Sequence, residues 1–296
     1  MTMEQPVRSV DRLSASEIED VLTLAAAAEQ ADGVHPLSED VVLQVRHGGG
    51  VHLLASGGDG VLAGYAHLGG ESGESGELVV HPAARRRGYG TALLQAAGVG
   101  PLSFWAHGDE PGARAFAERN GFERVRVLWQ MRRPLTDPLP PEVFPEGVSV
   151  RGFRIWHDEK AWLGVNSRAF AHHPEQGRWT QHDLEMREAE PWFDPAGFLL
   201  AVDIADTVLG FHWTKVHPAA GDQPAIGEIY VLGVDPGGHR KGLGSALSIA
   251  GLRHLQEQGL TAVLLYVDES NTAAVALYRR LGFEVFSADV AYQRSS

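Results

Sequence analysis

Apolar residues recur along this chain in two rhythms, one helical and one alternating, and the two take turns. Residues 14–31 (SASEIEDVLTLAAAAEQA) space apolar side chains at helical intervals behind two serines, which predicts a helix with Ser14 or Ser16 as its N-cap. The runs VHLLAS (51–56) and GVLAGYAHL (60–68) read as neighbouring strands across a glycine-rich turn. A strand in ELVV (77–80) and a helix beginning at TALLQAAG (91–98) follow. The second half repeats the plan. FLLAVDIADTVLGFHWTKVH (198–217) holds two strands about a polar turn at Asp203–Asp206. EIYVLGV (228–234) and AVLLYV (262–267) are strands, GSALSIAGLRHLQEQG (244–259) and NTAAVALYRRLG (271–282) are helices, and FEVFS (283–287) opens a last strand. Such alternation predicts an α/β fold, in which a twisted mixed β-sheet carries helices on both faces.

The chain divides where this patterning stops. Pro134, Pro138, Pro140, Pro141 and Pro145 fall close together, and proline lacks an amide donor and fixes φ, so no central strand or helix interior runs there. The expected domains are 1–135 and 147–296, with 136–146 as linker. An internal repeat supports this. VHPAARRRGYGTALL (80–94) and VDPGGHRKGLGSALS (234–248) share seven of fifteen residues at an offset of 154, and ARAFAERNGFE (113–123) matches AVALYRRLGFE (274–284) at an offset of 161. Two matches in the same order point to a duplicated domain.

Composition narrows the function classes. With 296 residues, two domains are the natural expectation, and 44% hydrophobic with 21% charged residues is ordinary for a globular protein. A net charge of −13 argues against general nucleic-acid or anionic-membrane binding. With no cysteine there is no disulfide and no thiolate metal site. The N-terminus lacks a signal-peptide pattern and no apolar run approaches the ~20 residues of a membrane span, so a cytoplasmic protein is expected. Because the duplication places a pseudo-dimer in one chain, a monomer is expected.

The strongest chemical signal is RRRGYGT (85–91) and HRKGLGS (239–245), each placed between an apolar strand and a helix. Alternate glycines let the backbone turn tightly and approach a ligand, and amides at a helix start point at an anion, here a pyrophosphate. Neither a phosphate-binding GxxxxGK loop nor a dinucleotide-binding GxGxxG fits, because Leu93 and Leu247 stand where the latter needs its third glycine.

V-x-P-x-x-R-x-x-G-x-G resembles the acyl-CoA pyrophosphate loop of the GNAT (Gcn5-related) N-acetyltransferases. Arg85, Gly88 and Gly90 satisfy its core; in the second copy strict counting begins at His239, with Arg240 beside it, then Gly242 and Gly244. NTAAVALYRRLGF (271–283) resembles the family's second signature through Asn271, Ala274, Tyr278, Gly282 and Phe283. The resemblance covers essentially the whole chain as two tandem GNAT domains, and implies acetyl-CoA as co-substrate. It carries the acetyl-CoA ligands over onto Leu78, Val79, Val80, Arg86, Arg87, Gly88, Tyr89, Gly90 and Thr91 in the first copy. In the second they are Leu232, Gly233, Val234, His239, Arg240, Lys241, Gly242, Leu243, Gly244, Ser245, Asn271, Thr272, Ala273, Ala274, Val275 and Ala276.

Acetyl transfer to an amine needs a base for the ammonium and an acid for the departing thiolate. Glu228 lies on the strand that runs into the second cradle, where GNAT enzymes commonly hold their base. Tyr278 lies where many hold a tyrosine acid. In the first copy Phe116 is read as the counterpart of Tyr278, Glu74 as that of Glu228, and Asn271 has no clear counterpart, so the first domain is expected to be structural or regulatory. GVHPLSE (33–39), RAFAHHPEQGRW (168–179), GFHWTKVHP (210–218) and GEIYVLGVDP (227–236) narrow the resemblance within the family. They are similar to tandem members that acetylate the cysteinyl α-amine of a cysteine–glucosamine–inositol conjugate. That resemblance implies Glu39, Glu175, Lys215, Glu228 and Tyr266 as substrate ligands. Two other readings remain open, a tandem GNAT acting on another small amine or a peptide N-terminus, and a non-catalytic acyl-CoA sensor. His172 and His173 offer no third ligand at zinc spacing. Trp156, Trp162, Trp179 and Trp192 are expected as core and cleft wall.

Overall fold

The computed structural model describes residues 7–58, 60–70, 75–173, 176–219, 223–238 and 241–295. The chain packs into two compact units, Met1–Leu128 with Ser287–Ser296, and Trp129–Phe286. Among the described residues no helix is long and apolar enough to cross a membrane.

The first unit begins with β1 (Val7–Val10), α1 (Ala15–Asp32) and α2 (Glu39–His47). Ser14, not Ser16, caps α1: its hydroxyl accepts from the Glu17 amide while the Glu17 carboxylate accepts from the Ser14 amide at 2.7 Å. Gly33, at φ +76°, ends the helix in a left-handed conformation that an L side chain resists. Strands β2 (Val51–Ser56), β3 (Leu62–Gly69) and β4 (Ser75–Val80) then pair antiparallel in sequence order. After β4 the chain crosses over through α3 (Tyr89–Ala96), so β5 (Leu102–Ala106) pairs with β4 in parallel. α4 (Pro111–Arg119) and β6 (Glu123–Pro134) follow.

The second unit holds β7 (Ser149–Gly152), α5 (Glu159–Ala169), α6 (Gln181–Glu188), β8 (Phe198–Val202), β9 (Val208–His217) and β10 (Ile226–Val234). It continues with α7 (Leu243–Glu257), β11 (Ala262–Asp268), α8 (Thr272–Arg280) and the start of β12 (Glu284–Arg294). Its sheet runs β6-β11-β10-β9-β8-β7, with β10 and β11 parallel. One face buries an aromatic cluster under α5 and α6, in which Trp162, Phe198, Phe211 and Trp213 are fully buried and Phe198 stacks on Trp213 at 4.2 Å. The other face packs α7 and α8 onto Ile229, Val263, Leu265 and Val267. Helices therefore cover both faces of this sheet.

The packing units differ from the division expected at 135 and 147. The end of β12 returns to the first unit, pairing antiparallel with β5 from Val290↔Ala106 to Arg294↔Leu102 and burying Val290 and Tyr292 in that unit's core. Conversely, Met131 and Leu135 are buried in the second unit's core, where the Leu135 amide donates to Thr261 O at 2.8 Å. Residues 135–148 contain no helix or strand, as the prolines require.

Candidate active site

Over the described residues the two cradles share a 3₁₀ turn and a glycine-capped helix. β10 leads through a single 3₁₀ turn (Pro236–Gly238) to Gly242, whose φ of +88° demands glycine and which caps α7 with no side-chain acceptor. In the first unit Gly88 does the same for α3 at φ +95°. By contrast, side-chain oxygens of Ser14, Ser38, Thr180 and Asn271 accept from the amides that open α1, α2, α6 and α8. A glycine cap leaves the first amides of α3 and α7 aimed outward, which suits an anion at the positive end of the helix dipole. Arg86, Arg87, Thr91 and Lys241 are exposed beside them. Leu243 and Tyr89 are buried, so their part in a cradle falls to the backbone. Arg85 is committed elsewhere, donating to both oxygens of Asp32 at 2.7 and 2.6 Å. His239 and Arg240 lie outside the described residues, as does Glu175.

The central parallel strands part just before each cradle. β10 and β11 pair over Gly227–Ile229 and Val263–Leu265, and a bulge between Ile229 and Val231 re-aims β10 where that pairing ends. Leu232, Gly233 and Val234 therefore run on with β9 on one side and an open edge on the other. In the first unit β4 and β5 pair only from Ser75↔Ser103 to Glu77↔Trp105, so Leu78 and Val79 have the same open edge, while Val80 O accepts from Arg85 Nε at 3.3 Å. Such an edge offers unpaired amides and carbonyls to an extended ligand.

Glu228 sits at that parting, 6% exposed and opposite Lys215 on β9. His217 Nε2 lies 2.6 Å from its Oε2. The Lys215 ammonium stands 4.5 Å from the Trp192 ring and 5.2 Å from that of Tyr230. The Tyr230 hydroxyl accepts from Arg187 Nε at 2.8 Å, and the Arg187 guanidinium lies 3.8 Å over Trp179. Carboxylate, ammonium, imidazole and an aromatic wall thus share one face of the sheet. Tyr266, two residues beyond the Leu264 that partners Glu228, is on that face too, 43% exposed and accepting from Gln130 Nε2 at 2.7 Å. Tyr278 belongs to the opposite face, packed edge-on against Phe283 at 5.7 Å, and burial pushes its phenol up to about 12. It is therefore protonated at neutral pH. Asn271 Oδ1 accepts from the Ala274 amide at 3.2 Å, so that side chain acts as the cap of α8. Thr272, Ala273, Ala274, Val275 and Ala276 form the first turns of this helix. Glu39 is the first residue of α2 and half-buried.

Several expectations need correcting. The counterpart of Tyr278 is Ala117, not Phe116: Phe122 N donates to Ala117 O and Phe283 N to Tyr278 O, each at 3.0 Å, ahead of the matched Gly121 and Gly282. Phe116 instead packs against the start of α3, 3.4 Å from where a Cβ on Gly90 would stand. The counterpart of Asn271 at the same offset is Glu110, which gives α4 no side-chain cap. Glu74 lies outside the described residues; in register Ser75 stands opposite Gly69 as Glu228 stands opposite Lys215, because β4 lacks the one-residue bulge of β10. Trp156 is 84% exposed and forms no part of core or cleft, whereas Trp162 is core and Trp192 is wall. His172 and His173 follow α5 in a turn, closed by the His173 amide donating to Phe170 O at 2.8 Å.

Two further groups stand out in the structure. His217 lies two residues beyond Lys215, the spacing that puts both on one strand face, so period-2 alternation could have found it. The other is a buried ionic set in the first unit, Glu77, His107 and Asp289. Burial alone would lower His107, but Glu77 and Asp289 raise it to about 10. Burial would raise Glu77, yet His107 and the Ser38 amide, which donates at 2.6 Å, hold it below the ordinary range.

In each unit the central parallel strands part beside a glycine-capped helix, the arrangement of the acyl-CoA N-acetyltransferase class. Comparison with known proteins agrees. Residues 165–283 match the acetyltransferase (GNAT) family and residues 48–124 an acetyltransferase (GNAT) domain. A mycothiol acetyltransferase of Salinispora arenicola is 57% identical over 98% of this chain and 97% of its own. One from Geodermatophilus obscurus is 55% identical over 98% of both chains. Among solved structures, a GCN5-related N-acetyltransferase from Sphaerobacter thermophilus superposes with TM-score 0.67 at 26% identity, covering 97% of this chain and 95% of that one. A tandem GNAT protein from the clavulanic acid biosynthesis pathway shares the fold, with TM-score 0.72 at 22% identity over 97% and 98%. The chain belongs to the mycothiol acetyltransferase family and is an acyl-CoA-dependent N-acetyltransferase built from two GNAT domains.

Proposed function

We propose that the chain moves acetyl from acetyl-CoA to the cysteinyl α-amine of desacetylmycothiol (cysteinyl-glucosaminyl-inositol), with Glu228 as general base and Tyr278 as general acid. The observation that carries this reading is Glu228, a buried carboxylate at the point where β10 and β11 part. The pyrophosphate of acetyl-CoA lies on the opening amides of α7, with Gly242, Gly244, Ser245 and Lys241 around it. Its pantetheine arm extends along the free edge of Leu232–Val234, which brings the thioester to the parting. Glu228 removes a proton from the ammonium, whose reference pKa near ~8 needs little help to fall. The nitrogen attacks the thioester carbonyl, the carbon–sulfur bond breaks, the Tyr278 hydroxyl protonates the departing sulfur, and the second proton shed by the nitrogen restores the phenol. Lys215, Tyr266, Glu39 and Glu175 bind the polyol through charge and hydroxyl contacts. The first unit has Ala117 where the acid would stand, and keeps a cradle without the acid.

The test is release of free CoA from acetyl-CoA by the purified chain, offered the conjugate beside a panel of other amines. Turnover of the conjugate alone, lost in Glu228→Gln with acetyl-CoA binding kept, is the expected result. Turnover of other amines only leaves an N-acetyltransferase and removes this substrate.

A further inference from the structure

Acetylating an ammonium is not proton-neutral. The nitrogen gives up two protons before it is an amide, and the sulfur takes back one, so one proton leaves for solvent in each turnover. A base that is 8% exposed has no ready route for it. The ring of His217 touches that base, with Nε2 2.6 Å from Oε2, and its side chain is 38% exposed. The other ionisable groups on this face are Lys215 on β9, Tyr230 on β10, Tyr266 on β11 and Arg187 on α6, while Glu159 and Glu188 belong to α5 and α6, the helices that cover it. Lys215 and Arg187 are cations, with no lone pair for a proton. A phenol releases its proton and does not gain a second one, whereas an imidazole has one ring nitrogen that can receive a proton and another that can release one.

We propose that His217 is the proton exit of the acetyl-transfer site, a positioning residue that also carries the proton from Glu228 to water. The O–H bond of the protonated carboxyl breaks, an N–H bond forms at Nε2, and the exposed imidazolium then gives a proton to water or buffer. The carboxylate is restored for the next ammonium. The neutral ring receives this proton with its own N–H at Nδ1; the new Nε2–H then donates to the restored carboxylate and holds its rotamer until exchange with solvent returns the ring's proton to Nδ1.

This rests on Glu228 being the base. The test measures kcat and KM for the full chain, using acetyl-CoA and whichever amine the wild type turns over, in His217→Gln and His217→Ala. Acetyl-CoA binding and circular dichroism check the fold. The expected result is a loss of kcat on the order of ten- to a hundredfold in both variants, with KM changed little. Added imidazole should restore part of the His217→Ala rate, because the ring's site opens to solvent. Wild-type kcat in either variant overturns the proposal. So does a loss cured by glutamine alone, which would leave only a positioning role, and so does a loss that imidazole never rescues. Failure of the underlying reading looks different: Glu228→Gln would then retain turnover while the wild type works normally.

Discussion

Ala117 in the first unit and Tyr278 in the second occupy the same place, each carbonyl accepting from the phenylalanine amide that follows the closing glycine. The two helices α4 and α8 end alike, yet only one presents a hydroxyl. Tyr278→Phe should therefore make the second unit resemble the first. We expect kcat to fall by roughly a hundredfold or more, in the range for loss of a general acid, with acetyl-CoA affinity kept. Deleting one buried hydroxyl costs only about 1 kcal/mol of stability, so a thermal midpoint lowered by no more than a few degrees would assign the loss to chemistry. Wild-type kcat in this variant would end the acid assignment.

The cradle glycines separate backbone conformation from packing. A Cβ at Gly242 or Gly88 would meet nothing within 4 Å, so alanine is resisted only by the positive φ. Each substitution should cost roughly 1 kcal/mol through that strain alone. The functional effects should diverge. Gly242→Ala tilts the first amides of α7 and is expected to raise the KM for acetyl-CoA about tenfold, whereas Gly88→Ala should leave turnover unchanged because the first unit carries no acid. Steady-state kinetics with acetyl-CoA varied distinguishes the two. Equal damage from both would show that the first cradle takes part in catalysis.

Features with a local physical cause were legible in the sequence, and those set by distant pairing were not. Gly88 and Gly242 announced themselves because a positive φ at a strand-to-helix turn leaves few other residues. Strands β8, β9 and β10 could be read from their apolar runs, and Ser14 from its capping partner Glu17. The return of Ser287–Arg294 to β5 had no local signature, because the choice of partner strand depends on register and on burial of Val290 and Tyr292. The bulge in β10 shifted the count by one, so Ser75 and not Glu74 holds the register of Glu228. Glu77, His107 and Asp289 are too far apart in the chain for spacing to suggest them.

Lys215 should govern acceptor binding more than chemistry. Its ammonium is held against Trp192 and Tyr230, directly across the strand pair from Glu228. Lys215→Met keeps much of the stem's packing and removes the charge. The expected outcome is a KM for the amine raised on the order of tenfold, with kcat and the KM for acetyl-CoA close to wild type. A fall in kcat alone would instead place Lys215 in the chemical step, and no change at all would remove it from the acceptor site.

The ionic set of the first unit makes a prediction about stability against pH. His107 is raised from 6.5 to about 10 by Glu77 and Asp289, against the lowering effect of burial. A group whose folded pKa is raised contributes fully below its unfolded pKa and loses that contribution as pH climbs through the folded value. Glu77 is lowered, so its share is present above the ordinary carboxylate range and lost in acid. Stability of the first unit should therefore peak between about pH 5 and 6.5 and decline steadily towards pH 10. His107→Gln leaves Glu77 and Asp289 as buried charges without a cation, which should cost about 3–5 kcal/mol near pH 6. Most of that difference should vanish by pH 10, where wild-type His107 is itself losing its charge. Urea unfolding of both proteins across this range, followed by the near-ultraviolet signal, reads the two curves directly. Parallel curves would mean that His107 is neutral in the fold and that the set is held by hydrogen bonds alone.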